Sequence, residues 1–111
     1  MLSADVETTI RRIIVAVSTG DYRSALAEVS RSRCSAEDLS RAISEHGRAL
    51  SAPPFADWDV IAVGNEVGQE WSVRAPLWSQ SEGGRSDLEL RLTVMNVDGE
   101  TSIELDDILV A

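Results

Sequence analysis

The spacing of apolar residues changes once along this chain. It follows a helical repeat before Pro53-Pro54 and alternates strictly after Trp58, and that switch limits the fold more than any other feature. Over residues 5–18, Val6, Ile10, Ile13, Ile14 and Val17 recur as one face of a helix requires. Ser3 or Asp5 can cap its start, and Gly20 supplies its stop. A shorter helix over 21–30, capped by Asp21, would bury Tyr22, Leu26 and Val29. Ser35, followed by Glu37 and Asp38, opens a third helix, since a hydroxyl cap and acids both satisfy its positive end. Leu39, Ala42, Ile43 and His46 share its face, and Gly47 ends it. Pro53-Pro54 cannot continue a helix, so this stretch forms the hinge between the two halves.

Beyond the hinge the period is two. Strands are predicted over 58–63, 70–78, 88–94 and from Thr101 onward. Trp71, Val73, Ala75 and Leu77 share one face of the second, whose Pro76 requires an edge position or a bulge. In the third, Leu88, Leu90, Leu92 and Val94 point inward while Glu89, Arg91 and Thr93 point outward. Asn96-Val97-Asp98-Gly99 makes a short hairpin, with Gly99 placed for positive φ. Ile103 and Leu105 face inward in the last strand, and the alternation then slips at Asp106-Asp107, as a bulge or kink would make it. The expected fold is α+β: three N-terminal helices packed on a four-stranded antiparallel β-meander. The 111 residues would form one domain, with a helical half of about 3–47 and a sheet half of about 57–111. In architecture alone that order is similar to cystatin-like and nuclear-transport-factor-2-like folds.

Charge divides the same way. Residues 1–50 balance seven arginines against seven acids, whereas residues 51–111 set three arginines against twelve acids and so carry the whole net charge of −9. Such a half repels nucleic acid and attracts a basic partner. The chain has no lysine, which excludes Schiff-base chemistry and a phosphate-loop lysine. The longest apolar run, Ile13 to Val17, is far short of the roughly 20 residues that span a bilayer. The first five residues lack the basic and apolar regions of a secretory signal, and the lone Cys34 allows no internal disulfide. We therefore expect a cytoplasmic protein that does not bind membranes.

Few residue types here carry chemistry. His46 has no histidine or cysteine at ligand spacing, so a capping or packing role is expected. Cys34 lies beside Arg31 and Arg33 at a helix start, a setting that lowers a thiol pKa, but it has no partner base. Glu104 and Asp106 share one face of the last strand, and Asp107 joins them only where a bulge re-aims it. Paired carboxylates can act as acid and base or hold a hard cation; on a strand they more often form a solvated face or pair with cations such as Arg74 and Arg91. The segment 78–87 is the most unusual. Trp78 anchors a polar tip with Glu82, Gly83-Gly84, Arg85, Ser86 and Asp87, where Ser86 or Asp87 can tie the chain to its own backbone. Trp and Arg also dominate binding hot spots.

Trp71-Ser72-Val73, Leu77-Trp78-Ser79, Glu82-Gly83, Arg85-Ser86-Asp87-Leu88 and Ile103 to Ile108 together resemble a family of small bacterial domains of unknown function. Ser35 to Leu39, Arg41-Ala42-Ile43 and Gly47 are similar to that family's third helix. The resemblance implies a shared fold and no assigned activity, and it transfers no catalytic residue. The second glycine of Gly83-Gly84 departs from the family pattern.

Three functions follow as expectations. The first is a non-enzymatic acidic protein-binding module, such as an immunity or antitoxin-like protein, that neutralises a basic partner through Trp78, Glu82, Arg85, Asp87, Glu104, Asp106 and Asp107. It needs no catalytic residue, metal or cofactor. The second is a small-ligand pocket between sheet and helices, lined by Trp58, Trp71 and Trp78. The third is an enzyme using Glu104, Asp106 or Asp107. A homodimer through an edge strand or an exposed tryptophan is compatible with each.

Overall fold

Helix α1 (Ala4–Ser18) buries the five apolar residues its spacing selects, Val6, Ile10, Ile13, Ile14 and Val17. Gly20 leaves the helix at φ 83°, the left-handed region that favours glycine. The computed structural model describes residues 4–47, 50–51, 61–64, 70–79 and 84–110. Ser3, Trp58, Glu82 and the Pro53-Pro54 hinge therefore lie outside the described residues.

Helix α2 (Tyr22–Ala27) starts as expected, with the Asp21 carboxylate accepting from the Ser24 N–H at 3.3 Å. It stops earlier than the apolar spacing predicts. The chain instead extends along the sheet as strand β1 (Arg31–Ser32), flanked by hydrogen bonds from Ser30 N to Ile103 O (2.8 Å) and from Arg33 N to Leu105 O (2.9 Å). Helix α3 (Ala36–His46) has the full reciprocal cap: Asp38 N donates to Ser35 Oγ at 3.1 Å, and Ser35 N donates to Asp38 Oδ2 at 2.9 Å. Gly47 closes it at φ 75°.

Strands β2 (Leu50–Ser51), β3 (Ile61–Gly64), β4 (Glu70–Ser79), β5 (Gly84–Val97) and β6 (Glu100–Val110) complete the fold. The expected meander β3-β4-β5-β6 is present and antiparallel throughout. Among the described residues the sheet is nevertheless six-stranded and mixed rather than four-stranded. β1 joins β6 in parallel and β2 pairs with β4, so the first half is not purely helical. Strands of two polar or mixed residues leave no alternation to read, and the backbone donors of the sheet edge hold them in place.

Asp98 and Gly99 form the two-residue β5–β6 turn with φ of 52° and 81°, the paired positive values that match a hairpin's twist. The β4–β5 register shifts between Pro76 and Trp78, which accommodates the proline. The β5–β6 register shifts where the alternation slips: Leu92 faces Leu105 and Arg91 faces Asp107, leaving Asp106 as the extra residue of a bulge.

One face of this sheet meets α1 in a single apolar cluster that includes Leu77, Leu88, Leu90, Leu92, Val94 and Leu105. Trp71 packs against its border, and its indole lies so close to Gly64, its cross-strand partner, that a Cβ there would meet Nε1 at 2.9 Å. Among the described residues, no helix is long and apolar enough to cross a membrane.

Candidate functional site: the outer face of the sheet

The register sets the site. Ser72, Thr93 and Glu104 form one row across β4, β5 and β6. Arg74, Arg91 and Asp107 form the next, and Pro76, Glu89 and Leu109 the third. All of them lie on the face opposite the apolar cluster, because successive strand residues point to opposite sides. The bulge keeps Glu104 and Asp107 on that face together, and Asp106 joins them by accepting the Thr93 hydroxyl at 2.6 Å. Asp107 Oδ1 accepts the Ile108 N–H at 2.8 Å.

Glu89 faces outward as expected, yet it is only 5% exposed. Its Oε1 receives Arg91 Nε at 2.8 Å and lies 3.5 Å from Arg74 Nε. The two arginines therefore pair with Glu89, not with Glu104 or Asp106. A cleft of about 510 Å³ opens beside them, lined by Arg33, Arg74, Arg91, Asp106 and Asp107. The acids of the sheet half are thus interleaved with guanidinium groups here. Exposed Glu70, Asp98 and Glu100 gather instead at the end where β4 begins and the β5–β6 hairpin turns.

The adjoining cleft, between α3 and β6, contains Cys34, Asp38, Arg41 and the same two aspartates. Burial pushes the Cys34 thiol pKa up, and Asp107 and Asp38 add to the shift, against the Ile108 backbone N–H. Arg31 and Arg33 do not activate it: the thiol is 8% exposed, in keeping with the inert role expected of a cysteine that lacks a partner base. His46 lies half-buried in the last turn of α3. Among the described residues, no three histidine, cysteine or acidic side chains come together as a metal site.

The segment 78–87 is mostly strand. Trp78 and Ser79 close β4, Gly84 to Asp87 open β5, and Trp78 pairs with Arg85. Ser86 ties the chain to itself, its Oγ accepting Leu88 N at 3.1 Å. The side chains of Arg85 and Asp87, like Glu82, lie outside the described residues. Trp78 is half-buried, and its indole N–H meets no acceptor among the described residues. Trp71 and Trp78 sit seven residues apart on β4, about 23 Å at strand rise, so they occupy opposite ends of the strand.

Arg33, Arg74, Arg91 and Glu89 were not singled out as site residues by the sequence. The i,i+2 placement of Glu89 and Arg91 on one strand face was a usable signal; the addition of Arg74 needed the β4–β5 register.

Fold and site define an α+β domain with helices on one sheet face and a charged, cleft-bearing surface on the other. The chain belongs to a family described as a domain of unknown function, DUF7668, whose model matches residues 14–111. No curated protein and no solved structure matches it.

Proposed function

We propose that this domain is a non-enzymatic binding module for a basic protein partner, acting as immunity or antitoxin-like proteins do, by covering what they bind. The observation that carries this reading is the charged cleft on the outer sheet face, lined by Arg33, Arg74, Arg91, Asp106 and Asp107. The groups that chemistry would need are already engaged. Glu89 holds two guanidinium groups, Asp106 holds Thr93, Asp107 holds a backbone N–H, and burial pushes the Cys34 thiol pKa up. At distances beyond the cleft the net charge of −9 dominates and draws in a basic surface; at contact the mixed charges set the fit.

The test is capture of the partner from cells that make the protein, followed by stopped-flow association across ionic strengths. The on-rate should fall as salt rises, and Asp107→Asn should weaken the complex. A partner that associates equally fast at low and high salt removes the charge mechanism, and one indifferent to Asp107→Asn and Arg91→Gln removes this face as the site.

A further inference from the structure

We propose that the outer-sheet cleft receives a mixed-charge segment of its partner, an acidic side chain on Arg74 and Arg91 beside a basic one on Asp107. This inference rests on the reading of that face as a docking surface and specifies what it recognises.

Arg74 and Arg91 stand directly opposite each other in the β4–β5 register, an arrangement that like charges disfavour. Buried Glu89 resolves it by holding both through Nε, on a single carboxylate oxygen. Their terminal guanidinium nitrogens make no hydrogen bond among the described residues. Those are the atoms that take a carboxylate in a two-pronged bond.

Asp107 stands directly opposite Arg91 on the other side, yet the two form no ion pair. The guanidinium leans to Glu89, and the carboxylate leans to the Ile108 N–H. The bulge at Asp106 and the Thr93 hydroxyl hold the second aspartate away in the same manner. Arg33, on the rim, has no ion-pair partner among the described residues.

Opposite charges thus line one cleft without neutralising each other, and each can be paired from outside. A purely basic segment meets three arginines there, and a purely acidic one meets two aspartates on a chain of charge −9. A segment carrying both signs meets neither penalty.

Three fluorescently labelled peptides on one scaffold test this, carrying an adjacent Arg-Glu, Arg-Arg or Glu-Glu pair, titrated with the full chain at low salt and read by anisotropy. The Arg-Glu peptide should bind tightest. Asp107→Asn keeps the acceptor for Ile108 and should weaken the Arg-Glu and Arg-Arg peptides about two- to fivefold, while the Glu-Glu peptide, relieved of one repelling carboxylate, should bind more tightly. Arg74→Gln should weaken only the peptides that contain Glu. Tightest binding by Arg-Arg would overturn the inference while leaving the basic-partner reading intact. Equal binding by all three peptides, or by none, would overturn it as well, and the natural partner's salt dependence judges the broader reading separately. Melting curves confirm folding; if Arg74→Gln does not fold, the Asp107→Asn comparison decides alone.

Discussion

Glu89→Gln preserves shape and removes the one charge that separates Arg74 from Arg91. The bond from Arg91 Nε, at 2.8 Å to a carboxylate only 5% exposed, is charge-assisted and worth about 1.5–3 kcal/mol. The Arg74 contact is longer, at 3.5 Å, and its side chain is 48% exposed, so solvent reduces it to about 0.2–1 kcal/mol. Without the carboxylate the two guanidinium groups repel across the strands, by about 0.2–1 kcal/mol. Glutamine recovers a neutral hydrogen bond of about 1 kcal/mol, which leaves a net loss of roughly 1–4 kcal/mol. That corresponds to a melting temperature lower by roughly 4–17 °C for a domain of this size. Calorimetry on Glu89→Gln, Arg91→Gln and the double variant completes a thermodynamic cycle. A single-variant loss and a coupling energy both below ~0.5 kcal/mol would show that the arrangement contributes nothing beyond solvated charges.

Leu90→Ala, at a fully buried position facing Ala75 and Ile108, should cost about 2–5 kcal/mol in urea unfolding; a loss below ~1 kcal/mol would remove Leu90 from the centre of the core. Gly64→Ala must displace the Trp71 indole, because its new Cβ would meet Nε1 at 2.9 Å. In a Trp58→Phe, Trp78→Phe background the emission maximum should shift, and an unaltered spectrum would contradict the close approach. Cys34 should react with a disulfide reagent at neutral pH more slowly than a free cysteine, since its thiol pKa is raised by burial; a rate equal to that of the free thiol would refute this. Asp38 is held below the usual carboxylate range, first by the Ser35 backbone N–H and then by the Ser35 hydroxyl. Its share of the α3 cap is therefore present above the ordinary aspartate value of about 3.9 and lost as pH falls through the lower folded value. Carboxyl-carbon NMR should follow that titration below the ordinary value, and a midpoint at or above it would contradict the cap.

Much of the fold was legible because its signals are local. The Ser35–Asp38 cap, the Asp21 cap, the stops at Gly20 and Gly47 and the Asp98–Gly99 turn each depend on a few neighbouring residues. The slip at Asp106-Asp107 was also visible, since a bulge must interrupt a two-residue period. The site was less legible. Glu104, Asp106 and Asp107 do share a face, but the arginines among them and the buried carboxylate were assigned by a register that no single segment contains.

The amino-acid order alone determined which side chains each helix and strand would bury, because that depends on periodicities of 3.6 and two within one segment. Tertiary structure alone decided that Arg31 and Ser32 would extend the sheet, that Glu89 would be buried between Arg74 and Arg91, and that the Cys34 thiol would be buried beside Asp107. Each of those outcomes depends on which distant backbone or charge arrives alongside, and on how much water leaves when it does.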